Sequence, residues 1–593
     1  MNGRYPGRSL LLLAPLLGLL LWPLPAGATP PDGVGNQWVR QHPFTLMGLV
    51  LQTDLLDMAE YVQANFTCLL AWPAGSIVDQ VTISSQGNVP WHAQVSPATQ
   101  GPDAYLQNLV NSAAAVPGAL GWLLQDEPAR SDLPGMGQAA QWIRTNHPGT
   151  LVYTNAFPSY ASTEQLLGND SVPGYDWGQY LDDVIAFIAP DLLMYDHYPF
   201  RRNGSTSDTY FYDLMTVRAK ALAAGLPYWT FIQAWSSSDV DMRLPSESDL
   251  RMQVFSSLAA GYSGLAYFIY DYWNSSGLLD QDGNPTQLFW EAAAANHEAL
   301  SLGHCLRFLT STGVRFLPGE FMLWGIWRTD NPVPQGLQEW TGPEPALDPH
   351  LVAADVDSSG TANLGEEKNG LLGFFTDDYG QHYFMLVNLS HSAGASAEQE
   401  QLPLYLEFDD SVDRLLEFDT ETLQAVTVNL ANHRLEVTLP GGSGRLYKYD
   451  TGPFAPDRPS DEDGGVADGT ADGGDAGEGG DFADDGGVPE DSDPDTGADP
   501  GADTGADTGA DPGADPGADP GADPGADPGA GDTVIDSDAP GADSGIDGGT
   551  GEDAPAADTG GEAGGCGCST PAAGGFWPAL LALLLLLARR RRY

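Results

Sequence analysis

The sequence predicts an α/β chain: a (β/α)8 TIM barrel followed by an all-β sandwich domain, then a disordered acidic linker and a C-terminal hydrophobic tail. Three observations carry that prediction. Between residues 37 and 307, eight short runs of apolar and aromatic residues alternate with segments of helical periodicity, the pattern of a parallel sheet with helices outside it. From residue 308 to 450 short strand-like runs follow one another without helices between them. From residue 451 to 565 large apolar side chains nearly vanish, so this tract has too little surface to bury to offset the entropy of ordering.

The eight strands are read at residues 44–52, 67–72, 91–96, 119–128, 150–158, 191–200, 228–235 and 263–273. Helices are expected at 53–65 with Thr53 as cap, 105–116, 137–146, 177–188, 210–224, 246–261 with Ser246 as cap, and 286–302. The segment 76–85 carries the weakest helical pattern. Such units suit a closed barrel, whose site lies where the C-terminal strand ends meet. A doubly wound open sheet is the alternative, but no glycine-rich phosphate turn follows the first strand. In the second domain, "GLLGFFTDDYGQHYFMLVNLS" reads as two strands joined around Asp377 to Gly380, and "LPLYLEFD", "RLLEFDTETL", "AVTVNL", "HRLEVTLP" and "GRLYKYD" continue the short-strand rhythm.

The chain ends read differently. Arg4 and Arg8 precede the apolar run 10–22 and the small-residue site Ala26-Gly27-Ala28, which marks residues 1–28 as an export signal; the run is shorter than the ~20 residues that a membrane span needs. Residues 451–565 include the repeat "GADPGADPGADP" and hold 32 acids against the single base Arg458, so −31 of the formal charge of −57 belongs to a spacer. The acidity therefore says little about the substrate, beyond arguing against nucleic acid as a partner. In residues 566–593, Cys566 and Cys568 precede a leucine-rich stretch ending at Ala588 and the cluster Arg589 to Arg592, a marginal span with a cytoplasmic stop. This order resembles the sorting tails of myxobacterial surface proteins. The resemblance implies a tail cut near the cysteines by a processing protease, leaving the protein on the cell surface; a permanent inner-membrane anchor is the alternative. Cys68 and Cys305 remain, and their spacing is compatible with pairing or with burial as free thiols.

The chemistry concentrates in "GWLLQDEPAR", where an apolar run ends in the adjacent acids Asp126 and Glu127. Carboxylates at a barrel's strand ends converge on the central pocket, where burial can keep one of them protonated near neutrality. Glu127 is the expected general acid, and a helix-capping pair or a bridge to Arg130 is the structural alternative. Trp72, Trp122, Tyr153, Phe157, Tyr195, Tyr198, Trp235, Tyr270, Tyr272 and Trp273 fall at or near strand ends, where flat rings can stack on the C–H faces of sugars. About half are expected to face the pocket. Asn155, His197, Gln233 and Asp271 are added as polar contacts for substrate.

"LLQDEP" resembles the Asn-Glu-Pro strand end of clan-A glycoside hydrolases, with Glu127 at the acid/base position and Asp126 in place of the asparagine. "DLLMYDHYP" is similar to the D-x-x-S-x-D-x-Y-P segment of family 42 β-galactosidase-like barrels, matching Asp191, Asp196, Tyr198 and Pro199. "GLLDQDGNPTQLFWEAAAANHEALSLGHCLRFL" resembles the helix leaving such barrels, and "LPGGSGRLYKYD" the close of their C-terminal β domain. The resemblance implies a glycosidase acting on a carbohydrate. It also implies a nucleophilic glutamate at the end of the seventh strand, where this chain has Gln233. Three readings follow: an inverting pair of Glu127 with Asp196 or Asp271 as base; a substrate-assisted mechanism in which Asp126 orients a 2-acetamido group, as adjacent Asp-Glu pairs resemble those of family 20 and 123 hexosaminidases; or a barrel that binds sugar and cleaves nothing.

No cofactor is expected for catalysis. "DVDSSGTANLGE" places Asp355, Asp357, Ser359, Thr361, Asn363 and Glu366 at the ligand positions of a twelve-residue calcium loop. Flanking helices are not evident, so a solvated acidic loop stands beside structural calcium.

Overall fold

The computed structural model describes residues 33–456 apart from 274, 276, 324, 330, 358–364 and 366. The expected export signal and tail and residues 457–565 of the expected linker lie outside the described residues, as do Ser359, Thr361, Asn363 and Glu366 of the expected calcium loop; residues 451–456 are described, and Phe454 packs against Tyr383 and Phe418.

Eight parallel strands close a barrel in sequence order: β1 Thr45–Val50, β2 Cys68–Ala71, β3 Trp91–Gln94, β4 Ala119–Asp126, β5 Leu151–Ala156, β6 Leu193–Tyr195, β7 Tyr228–Gln233 and β8 Gly264–Phe268. The helices are α1 Val34–Gln41, α2 Met58–Gln63, α3 Ile77–Gln86, α4 Ala104–Ala114, α5 Leu133–Asn146, α6 Thr163–Leu167, α7 Trp177–Ile188, α8 Tyr210–Ala224, α9 Glu247–Ala259 and α10 Gln287–Leu306. The weakly patterned segment is thus the helix α3, capped by Ser76. The expected helix from Thr53 is instead a short 3-10 turn followed by α2, because the Asp57 side chain accepts from the Ala59 and Glu60 amides and restarts the helix there. β6 is shorter than its apolar run because Asp191 turns aside to accept from the Val152 amide (2.7 Å) and residues after Tyr195 leave the ladder.

Strand parity builds the core. Met47 and Leu49 of β1, Cys68 and Leu70 of β2, and Trp229 and Phe231 of β7 pack inside the barrel; their neighbours Leu46, Val50, Leu69, Ala71 and Ile232 pack outward in the layer shared with the helices. Trp38 of α1 joins the inner cluster, its ring 6.1 Å from those of His92 and Trp229. Gly121 leaves the space that the His92 ring fills, since a Cβ there would strike it. Cys68 and Cys305 are both buried and unbonded to each other.

The C-terminal part continues as β9 Thr310–Leu317, β10 Phe321–Leu323, β11 Ile326–Arg328, β12 Leu351–Val356, β13 Gly370–Thr376, β14 His382–Asn388, β15 Leu402–Phe408, β16 Arg414–Asp419, β17 Gln424–Asn429, β18 Arg434–Leu439 and β19 Gly444–Tyr449. They form a hairpin of β10 and β11, a three-stranded sheet β12-β15-β18 and a six-stranded antiparallel sheet β17-β16-β19-β14-β13-β9. Leu404 and Leu406 of the smaller sheet pack with Phe374 and Phe384 of the larger in one apolar cluster.

Helix α9 joins this part to the barrel. Every residue from Ser248 to Ala259 is buried, because β7 lies on one side and β13, β14 and β19 on the other. Its polar side chains are paired rather than solvated. Ser248 Oγ donates to the Ala395 carbonyl (3.0 Å), Arg251 Nε to Ser443 Oγ (2.7 Å), and Asp249 takes Arg243 and His391. Those cationic and donor partners hold the Asp249 carboxyl down at about 2 against its burial.

Candidate active site

A cleft with an empty volume of about 830 Å³, its open mouth included, lies at the C-terminal ends of the strands. Asp126, Glu127, Asn155, Asp196, Trp72, Tyr198, Trp235 and Trp273 line it, together with Leu49, Leu51, Gln165, Phe231, Val240, Met242 and Phe268.

Adjacent residues of a flat strand face opposite ways, yet Asp126 and Glu127 both reach the cleft. Two local irregularities allow it. β4 shifts register against β5 between Leu123 and Asp126, and Glu127 turns into left-handed backbone with φ 44°. That conformation is costly for a side-chain-bearing residue, the more so ahead of a proline. It is held by the Glu127 amide donating to the Asn155 carbonyl (2.9 Å) and by the Tyr180 hydroxyl donating to the Pro128 carbonyl (2.9 Å).

The acids perturb one another. Burial pushes the Asp126 carboxyl up to about 6, opposed by Asn155, whose Nδ2 donates to Asp126 Oδ1 at 2.8 Å. Burial and then the Asp126 charge push Asp196 up to about 8, opposed by the neighbouring polar groups of Tyr198 and Asn155. Glu127 is driven well above the usual carboxylate range, first by burial and then by the charges of Asp196 and Asp126. Near neutral pH the cluster therefore carries protons that ordinary carboxyl groups would have lost. Among the described residues Oδ1 of Asn155 and Oδ1 of Asp196 are buried without a donor, two acceptors open to a ligand's hydroxyl or amide groups.

One wall is aromatic. Trp235 and Trp273 stack at 5.4 Å and 22°, and Phe268 meets Trp235 edge-on at 5.4 Å. Tyr198 lies 5.4 Å from Phe268, and Trp235 Nε1 donates to the Trp273 carbonyl. Of the ten strand-end aromatics singled out in the sequence, Trp72, Tyr198, Trp235 and Trp273 line the cleft.

Other expected contacts lie elsewhere, for reasons of parity and depth. Tyr195 and His197 alternate with Met194, Asp196 and Tyr198, so their side chains leave the barrel on its outer side; Tyr195 packs near Tyr262, and His197 bonds Asp213 and Ser207. Tyr270 also faces outward, against Tyr61 at 4.7 Å. Tyr153 faces inward but one layer below Asn155, where its hydroxyl meets His92 Nδ1 at 3.0 Å. Asp271 turns away from the cleft and accepts from the amides of Leu51 (2.8 Å) and Gln52 (2.6 Å), which removes it as the base of an inverting pair. Gln233 is spent on backbone: its Oε1 accepts from the Phe200 amide (2.9 Å) and its Nε2 donates to the carbonyls of Arg243 (2.9 Å), Trp235 and Phe200. It is fully buried and absent from the lining.

Sequence reasoning passed over several lining residues. Leu49, Leu51, Phe231 and Phe268 follow from strand parity once the strands are placed. Gln165 sits on α6, announced by the capping box that Ser162 and Gln165 form. Val240 and Met242 come from the loop after β7, where no periodic signal exists.

The expected calcium loop is only partly described. Asp355 Oδ1 accepts from the Val356 amide (2.8 Å) and Asp357 Oδ2 from the Tyr405 hydroxyl (3.0 Å). Among the described residues no group of three or more His, Cys, Asp or Glu side chains could hold a metal, and no helix is long and apolar enough to cross a membrane.

No protein-family model matches the chain, and no curated protein matches it. Among solved structures it is similar to alpha-galactosidase I from Mortierella vinacea, with TM-score 0.37 and 8% identity over 72% of this chain and 100% of that one. It is also similar to GH5_18 from Streptomyces cattleya in complex with GlcNAc, with TM-score 0.30 and 9% identity over 43% and 80%. The carboxyl transferase domain of Rhizobium etli pyruvate carboxylase gives TM-score 0.28 and 12% identity over 48% and 54%. The solved structures that this chain is similar to thus include glycoside hydrolases and a carboxyl transferase.

Proposed function

We propose that this protein is an exported, cell-surface glycoside hydrolase that cleaves O-glycosidic bonds of an extracellular neutral or N-acetylated glycan. One observation carries the reading: three mutually perturbed carboxyl groups, Asp126, Glu127 and Asp196, meet in a single aromatic-walled cleft. Glu127 keeps its proton and donates it to the leaving oxygen. Asp196, on a different strand end, in its ionised form takes the proton of an attacking water, and the Asp126 charge raises both of the other carboxyls. No Lys or Arg is among the lining residues, which disfavours anionic sugars.

Around this core stand the further proposals drawn from the sequence. They are cleavage of residues 1–28, a spacer at 451–565, surface attachment through residues 566–593 after proteolytic processing, and structural calcium at 355–366. Gln233 favours a second reading, a carbohydrate-binding barrel without turnover, because it supplies no carboxylate at the end of β7.

The test is a panel of aryl glycosides and neutral polysaccharides given to the full chain and to Glu127→Gln. Turnover that falls by about 10²–10⁴-fold in the variant is the expected result. Sugar affinity without wild-type turnover establishes the binding reading, and turnover equal in both proteins removes Glu127 from the chemistry.

A further inference from the structure

A second constellation lies behind the cleft wall, on the outer side of the β6 end. His197 Nδ1 is 2.8 Å from Asp213 Oδ2, and His197 Nε2 is 2.9 Å from the Ser207 hydroxyl. The side chains of His197 and Asp213 have 0% exposure, whereas Ser207 is only half-buried. Asp213 is fixed on α8 and its Oδ2 also accepts from the Ser159 amide at 3.0 Å. Tyr160 packs edge-on against the imidazole at 5.0 Å and Tyr210 at 5.7 Å, so the ring is held on both sides.

The proton inventory follows from these partners. A carboxylate only accepts, so Nδ1 carries the imidazole proton toward Asp213 and Nε2 presents its lone pair to the Ser207 O–H. That sequence of hydroxyl, base and orienting acid is the arrangement that activates a serine for acyl transfer, recognised by geometry rather than by fold. Ser207 also sits just ahead of α8. Among the described residues the amides of Asp208 and Thr209 donate to no protein acceptor, and they are the donors nearest in sequence for a developing oxyanion.

We propose that Ser207, His197 and Asp213 form a second site that hydrolyses short-chain carboxylic esters, the class to which O-acetyl groups on a glycan belong. Ser207 Oγ bonds to the acyl carbon while its proton passes to His197 Nε2. The acyl C–O bond to the alcohol then breaks, and the alcohol leaves with that proton. Water attacks the acyl-serine, gives a proton to Nε2 and releases the carboxylic acid as Ser207 regains its hydrogen. No oxidant, metal or cofactor enters the balance.

The proposal does not rest on glycoside cleavage by Glu127. The test uses the full chain with p-nitrophenyl acetate as substrate and a fluorophosphonate as covalent probe, followed by peptide mapping. Stoichiometric label on Ser207 and a loss of ester turnover on the order of 10³-fold or more in Ser207→Ala are expected. A wild-type protein that the probe leaves unlabelled at Ser207, or ester turnover that Ser207→Ala leaves unchanged, overturns the proposal. The label is read on the unaltered protein, so a folding defect in Ser207→Ala cannot imitate it.

Discussion

The rim of the barrel has two unlike halves. On the arc from β4 to β6, Asp126, Glu127, Asn155 and Asp196 crowd together, with acceptor atoms left without protein donors. On the arc from β7 to β8, Gln233 and Asp271 are just as buried, but both polar atoms of Gln233 and Oδ2 of Asp271 are given over to the backbone of neighbouring segments, which leaves Asp271 Oδ1 without a donor but outside the cleft. A polar side chain at a strand end becomes a reagent only where the surrounding chain has no use for it. Where loops need anchoring, the same residue types serve as clamps.

The sharpest way to break that contrast is Gln233→Glu. If Gln233 is a clamp, a carboxylate there faces the carbonyls of Phe200, Trp235 and Arg243 and leaves a buried charge uncompensated, at a cost of about 3–5 kcal/mol. A clear fall in the thermal midpoint, with no gain in turnover, is expected. A stable variant that hydrolyses glycosides faster would show that the β7 end belongs to the reactive half.

Asp196→Asn sharpens the other half. A general acid works while protonated, so the high-pH limb of kcat/KM follows the Glu127 carboxyl, which the Asp196 charge raises. Asp196→Asn removes that charge together with the proposed base, so turnover falls by about 10²–10⁴-fold and the limb of the residual activity moves to lower pH. A limb that stays in place would disconnect the two acids. The smallest effect is expected for Trp273→Ala, which removes one partner of the stacked pair with Trp235. Loss of one aromatic contact costs about 1 kcal/mol, and so KM should rise roughly fivefold with kcat unchanged. An unaltered KM would take Trp273 out of the sugar contacts.

Much of the barrel was legible because its signals are local. Apolar runs of strand length, Ser246 at a helix start, and turns between them are all written in neighbouring residues; the caps Ser76 and Asp103 come from the structure. The position of Asp126 and Glu127 at the end of the fourth strand was legible for the same reason. Their joint orientation was not, since it depends on a register shift against β5. Asp271 and Gln233 misled because the sequence gives residue types at strand ends and not the distant amides and carbonyls that claim them, such as Leu51 across the barrel closure. α1 was missed because its reason for forming is the barrel floor that Trp38 covers. α9 shows the converse, a helix whose buried serines, glutamine and arginine make sense only between two layers.

That doubly covered helix ties the fate of the two parts together. With one flank sealed by the barrel and the other by the antiparallel sheet, α9 has no face suited to water, so a chain stopped at the end of α10 would bare apolar surface and leave Ser248 without the Ala395 carbonyl, Asp249 without His391 and Arg251 without Ser443. The reactive cleft therefore depends on a β domain that contributes no residue to it.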